Sequence, residues 1–244
     1  MRRLFYKGLL AEKIEITGTD AHHLMHVLRA RAGDEVVVVD DVNRAARMEM
    51  VAFSTDAVTL RLKERLSLDA ESPMDITLAQ CLLKADKMDF VVQKAVELGV
   101  KRILPVMSKH SVVRYDAKKR EERQQRWQRI ADEAAKQCGR TALVEVLPVV
   151  EFSACLTFGE ERGGTLLFCY ENETQQSARE YLRALDTNRC TLLIGPEGGF
   201  APEEADAAET SGGVSVTLGP RILRAETAAL VALTMVQYEK GDLG

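Results

Sequence analysis

Residues 192–200 read LLIGPEGGF and residues 218–230 read LGPRILRAETAAL, and these two stretches decide the fold. Each begins at the end of a short apolar run, Thr191–Gly195 and Val214–Leu218, and turns through a Gly-Pro pair toward a helix. Short apolar runs that alternate with helices imply parallel strands covered on both faces. In such a sheet, ligands sit outside the carboxyl ends of the strands, which is where both Gly-Pro loops fall.

The same alternation extends back to Pro73. Ile76–Leu83 reads as a strand and Asp86–Leu98 as a helix closed by Gly99, a suitable C′ residue. Ile103–Val106 and Leu166–Tyr170 read as strands, and Ala117–Cys138 as a long charged helix. Before Pro73 the pattern is β-rich. Arg3–Tyr6, Lys13–Thr17, Asp34–Asp40, Ala45–Phe53 and Ala57–Leu66 are strand candidates, with a turn at Asp41–Asn43. Thr19 and Asp20 are placed to cap a helix through His22, Leu24, Val27 and Leu28. The polar stretch Ser67–Pro73 reads as a linker, which gives two domains, 1–70 and 74–244.

Composition narrows the class. Among 244 residues, 46% are hydrophobic and 29% charged, as in an ordinary globular protein. No segment approaches the roughly eighteen consecutive apolar residues of a membrane helix, and MRRLFYKGLLAEKIEI has no apolar run suited to a signal peptide. A cytoplasmic protein away from the membrane is expected. The five cysteines (Cys81, Cys138, Cys155, Cys169, Cys190) include no CxxC pair and read as reduced, mostly buried thiols. His22 and His26 are one helical turn apart but have no further ligands nearby in sequence, so no metal is expected. Net charge is −4, yet residues from Glu151 onward hold 7 Lys/Arg against 15 Asp/Glu, which leaves the first 150 residues at +4. A basic surface there would attract phosphates.

Neither Gly-Pro loop matches a Walker A or dinucleotide fingerprint. Their glycines let backbone groups approach a flat ligand, and Pro196 and Pro220 stiffen the bends. A ligand read by backbone and apolar contacts, with no phosphate cradle, suits an adenosine.

These loops resemble the signature of the SPOUT, or α/β-knot, methyltransferases. Within them the chain is similar to the family that methylates N3 of a uridine in small-subunit (16S) ribosomal RNA. QKAVELGVKRILP (93–105), KHSVVR (109–114), RWQRIADEAAKQCGR (126–140) and HHLMHVLRARAGDEV (22–36) carry the same resemblance through both domains. Two departures are Cys138, where serine is usual, and Lys84-Ala85-Asp86, where a glycine usually follows the lysine.

The resemblance implies an α/β fold with a mostly parallel sheet and a C-terminal trefoil knot, preceded by a small PUA-like β-barrel domain. It also implies S-adenosyl-L-methionine as cofactor, ribosomal RNA in the small subunit as partner, and a homodimer. Carried over, cofactor contacts fall on Ile194, Gly195, Pro196, Gly199, Leu218, Gly219, Ile222 and Leu223.

Uridine N3 is protonated at neutral pH, so the reaction needs that proton removed or its loss stabilised. Arginine stays protonated and cannot be the base, but it can hydrogen-bond the uracil oxygens as charge builds there. Arg221 and Arg224 are the candidates. Glu226 reads either as a base or as an acidic residue favoured in a first helical turn. Glu197 reads as a second base or as a partner for a positive sulfonium. Arg140, with Gln137, closes the long basic helix and is expected at RNA or the active site. The run KKREERQQRWQR is either a phosphate-binding strip or a solvated helix face. Two other readings stay open, ribose 2′-O-methylation on the same fold and a ribosome-assembly factor without catalysis.

Overall fold

The structure is a computed structural model that describes residues 3–68, 70–84, 86–162 and 164–243, without the side chains of 159–162. Ala85 lies outside the described residues. The chain divides into two compact units, residues 1–71 with 135–142, and residues 72–134 with 143–244.

In the first unit, alternation in the sequence sets which face of each strand is buried. Strand β2 (Lys13–Thr17) turns Ile14 and Ile16 inward and its polar residues outward. With β1 (Arg3–Phe5), β3 (Glu35–Val39), β4 (Ala45–Phe53) and β5 (Ala57–Leu66) it forms one sheet in the order β1-β3-β4-β5-β2. Strands β1 and β2 are its two edges, so the PUA-like domain is a half-barrel whose ladder stays open. The Val run of β3 is buried on both faces. Val36 and Val38 join the main core with Leu24, Met48 and Leu60, while Val37 and Val39 meet Ala45, Phe5 and Leu66 behind it. Register shifts at Arg47/Met48 and Met50/Ala52 bend β4, as bulges do.

The expected helix near His22 is present but built differently. An α-helical turn, α1 (Gly18–His22), passes into a π-helical turn at His23–Val27, where the Leu28 N–H donates to the His23 carbonyl at 3.0 Å. Its N-cap is Thr17, without a side-chain cap bond, so Thr19 and Asp20 do not cap it. Asp20 instead accepts from Lys136 Nζ at 2.8 Å. A charge partner outside the turn outcompetes local capping here.

In the second unit every strand pairing is parallel. Strands β6 (Asp75–Cys81), β7 (Arg102–Met107), β8 (Glu145–Val146), β10 (Thr165–Cys169), β11 (Arg189–Ile194) and β12 (Val214–Val216) run in the order β12-β10-β11-β6-β7-β8, with β9 (Val150–Glu151) also paired to β7. The fold class is α/β with a parallel sheet. Helices α2 (Asp86–Glu97), α3 (Ala117–Cys138), α4 (Phe152–Arg162), α5 (Ala178–Ala184), α6 (Pro202–Thr210) and α7 (Ala225–Lys240) provide the crossovers and the C-terminus. Leu104, Val106, Phe168 and Leu193 fill one face of the sheet, packed with Phe200 and Ala205. Gln237 on α7 is fully buried. It accepts from Ser72 Oγ at 2.7 Å and donates to the Leu98 carbonyl at 2.8 Å, which ties α7 to the end of α2.

The basic run on α3 is largely paired. Arg126 binds Asp89, Arg120 binds Glu151 and Lys119 binds Glu122, each through a contact of 2.5–2.7 Å, while Arg123 lies over the Tyr115 ring. Trp127, in its middle, is core. The cysteines are mostly buried, as expected, with Cys169 half-buried and Cys138 exposed. Burial pushes the Cys155 and Cys190 thiols up to about 12, which leaves them inert near neutral pH.

Candidate active site

Because every strand of the second unit points the same way, the loops after β6, β7, β10, β11 and β12 leave one edge of the sheet. Gly195 follows β11 and Gly219 lies beyond β12, and these two strands flank β10 on either side. Two strand spacings, about 10 Å, therefore separate the roots of the two Gly-Pro loops, a width that suits a nucleoside.

The first loop is packed from beneath. Ile194, Gly195 and Pro196 are buried, and a Cβ at Gly195 would sit 3.3 Å from the Phe200 ring. The Gly195 carbonyl accepts from Gln80 Nε2 at 3.4 Å. Gln80 is fully buried at the end of β6, and its Oε1 has no hydrogen-bond partner among the described residues. Gly199 has φ +68 and lies against the Glu171 carboxylate, so a side chain would meet both a left-handed backbone and that carboxylate. The loop is held from its other flank by Glu204. This buried side chain accepts from the Ala201 N–H at 3.0 Å and from the Lys109 N–H at 2.7 Å. His110, in the same segment, places Nδ1 3.2 Å from the Gly198 carbonyl.

The second loop is open. Gly219 has φ +113 with nothing within 4 Å of where a Cβ would be, and its N–H donates to Thr217 Oγ1 at 3.2 Å. Leu218 and Leu223 are half-buried, whereas Ile222 is 89% exposed. An apolar side chain standing free beside a glycine and open space is a surface on which a flat base can lie. Arg221 and Arg224 are exposed, and Arg224 is the N-cap of α7.

Three charged groups join the loops. Lys87 Nζ, on the first turn of α2, lies 3.4 Å from Glu197 Oε1 and 3.3 Å from Glu226 Oε2. Glu197 also accepts from the Lys84 N–H at 3.3 Å. Burial works to raise the Glu226 carboxyl, but its own backbone N–H, Lys87 and the nearby Arg224 outweigh this and hold it below the ordinary glutamate range. Glu226 is therefore held as a carboxylate, in the first helical turn where such a charge is favoured.

Most of the residues read from the sequence gather at this edge, namely Ile194, Gly195, Pro196, Glu197, Gly199, Leu218, Gly219, Arg221, Ile222, Leu223, Arg224 and Glu226. Arg140 belongs to the first unit, where it is 4% exposed and clamped onto Glu71. Sequence reading passed over Lys87, Gln80 and Glu171. The signal for Lys87 was present, since it opens a helix directly after the carboxyl end of a strand.

The edge fits S-adenosylmethionine. It offers backbone at Gly195 and Gly219, free apolar surface at Ile222, and carboxylates for a positive sulfur. Among the described residues, no group of three or more His, Cys, Asp or Glu is arranged to hold a metal ion, and no helix is long and apolar enough to cross a membrane.

Comparison with known proteins agrees with this geometry. A family profile for an RNA methyltransferase domain matches residues 70–237, and one for an RNA methyltransferase PUA domain matches residues 16–63. The ribosomal RNA small subunit methyltransferase E of Bacillus subtilis is 32% identical over 234 residues, 94% of this chain and 91% of its own. The structure of ribosomal RNA small subunit methyltransferase E from Neisseria gonorrhoeae, bound to S-adenosyl methionine, superposes with a TM-score of 0.88 at 31% identity and covers 100% of both chains. A Legionella pneumophila methyltransferase in complex with the bound cofactor SAM gives a TM-score of 0.90 at 30% identity, covering 99% of this chain and 98% of its own.

Proposed function

This chain belongs to the RNA methyltransferase family, and from that premise we propose that it transfers the methyl group of S-adenosylmethionine to N3 of a uridine in small-subunit ribosomal RNA. The observation that carries this reading is the pair of Gly-Pro loops at one sheet edge, in a chain that matches SAM-bound relatives along its whole length.

Ile194, Gly195, Pro196, Gly199, Leu218, Gly219, Ile222 and Leu223 would hold the cofactor, which supplies a methyl group on a positively charged sulfur. Backbone at the two glycines and the exposed Ile222 side chain would bind the flat base, and Glu197 would supply negative charge for the positive sulfur.

The cofactor would supply its methyl group to N3 and leave as the neutral thioether, while the N3 proton would pass to solvent water. Arg224 and Arg221 hydrogen-bond the uracil oxygens on which negative charge accumulates, so proton loss becomes easier. Glu226, kept ionised by Lys87, serves this step better as a fixed charge beside Arg224 than as the base. The half-barrel unit holds the RNA, and two copies of the chain form the working homodimer. The protein is read as cytoplasmic, where ribosomal RNA is made.

The test is mass mapping of ribosomal RNA from cells with and without this protein, repeated with purified chain, methyl-labelled donor and small subunits. A methyl group gained on a uracil base, with alkaline cleavage intact at that nucleotide, is the expected result. A methyl group that blocks alkaline cleavage would assign the ribose instead. No transfer to small-subunit RNA would overturn the reading.

A further inference from the structure

The ion triad at the site does more than hold loops together. We infer that Lys87 and the two carboxylates it bridges place one net negative unit beside the methyl-donor site and so bias that site toward a cationic sulfonium over its neutral thioether product. The inference rests on the proposed use of S-adenosylmethionine.

The triad draws on three elements. Lys87 comes from the first turn of α2, Glu197 from the loop after β11, and Glu226 from the first turn of α7. Their side chains are 32%, 22% and 16% exposed, so their charges are shielded from water only in part. Stability alone gives a poor reason for the arrangement. Partly exposed pairs contribute little, and two glutamates gathered around one ammonium repel each other. One ammonium and two carboxylates sum to minus one, beside the backbone that would hold the donor.

That charge has a chemical consequence. Donor and product carry the same amino and carboxylate groups and the same nucleoside. They differ by one methyl group and by the positive charge on sulfur, which is lost as the methyl leaves. Binding therefore weakens at the step after which product must depart, and the size of the change is set by the local charge. Lys87 keeps the charge of the triad at minus one. Without it the pocket would hold the donor more tightly relative to product. Without either glutamate the distinction would fade.

Calorimetry on the full-length chain with S-adenosylmethionine and S-adenosylhomocysteine tests this as a charge series. The measured quantity is the ratio of product Kd to donor Kd. Lys87→Met should raise the ratio about threefold, the size of a unit-charge interaction across several solvated ångströms. Glu197→Gln and Glu226→Gln, which keep shape, should each lower it by a similar factor. The double variant Lys87→Met with Glu226→Gln should return it close to the wild-type value, and added salt should flatten the series. If each variant weakens both ligands equally and leaves the ratio unchanged, the triad is only a structural clasp and the inference fails. If the wild-type chain binds neither ligand, the methyl-donor reading falls with it, an outcome distinct from an unchanged ratio.

Discussion

Arg140 and Glu71 form a forked ion pair, with Nη2 2.5 Å from Oε2 and Nε 3.3 Å from Oε1. Oε1 also accepts the backbone N–H groups of Thr141 at 2.8 Å and Ala142 at 2.9 Å. Burial acts to raise the Glu71 carboxyl, but Arg140 and these donors more than offset it, and the group titrates below the ordinary range. The Arg140 carbonyl in turn accepts from Arg3 Nη1 at 2.6 Å. This side chain thus organises the first unit.

Arg140→Met should therefore destabilise the protein by about 3 kcal/mol, because removing one partner strands a half-buried carboxylate. Urea unfolding followed by circular dichroism reads the effect as a lower midpoint. A role confined to RNA contact would leave the midpoint unmoved and change only RNA affinity.

Asp40 gives the first unit a pH dependence. Its buried carboxylate accepts from Arg44 Nε at 2.9 Å, Arg44 Nη2 at 2.7 Å, and the backbone N–H groups of Leu10, Val42 and Arg44. Desolvation raises this carboxyl, but the five donors together lower it from 3.8 to about 2. The folded value lies below the unfolded one, so the stabilisation is present in full above pH 4 or so and is lost as pH falls toward 2. Asp40→Asn should cost about 2 kcal/mol at neutral pH and reduce the acid sensitivity of unfolding between about pH 4 and 2. Equal acid sensitivity in the two proteins would count against this.

Much of this architecture was legible because it rests on local chemistry. Lys13–Thr17, Ala45–Phe53, Ala57–Leu66 and Ala117–Cys138 match the structure end to end, since alternation or helical period marks each of them. The Gly-Pro loops were legible for the same reason. What the sequence hid depends on pairing at a distance. The Glu71–Arg140 clamp spans 69 residues and the Lys87–Glu226 contact joins helices far apart in the chain, and neither leaves a periodic trace. The shift from α to π at His23 is hidden as well, because Arg29 adopts φ 50 to close that turn and no turn residue announces it.

Gly195→Val should abolish binding of S-adenosylmethionine while RNA affinity changes little. Added methyl groups at this buried position would meet the Phe200 ring and displace the carbonyl that Gln80 holds. Calorimetry with the donor and filter binding with small-subunit RNA separate the two effects. Equal loss of both would contradict the division of labour between the sheet edge and the half-barrel.

Arg224→Lys offers the sharpest test of how the reaction is assisted. Arg224 is exposed at the N-cap of α7, two residues before Glu226 and close enough to help hold that carboxylate ionised. If its planar fork stabilises negative charge on the uracil oxygens, lysine keeps the charge but loses the paired donors. Removing one donor aimed at a developing anion typically costs about 10²- to 10³-fold in kcat. Arg224→Lys should therefore lower kcat by roughly tenfold or more and Arg224→Ala by about a hundredfold, with the KM for S-adenosylmethionine nearly constant in both. Raising the pH should narrow the deficit, because base in solution then supplies part of what the arginine did. A variant that raises the KM for donor or RNA while kcat holds would move Arg224 from the chemistry to binding, and the uracil anion would need another partner.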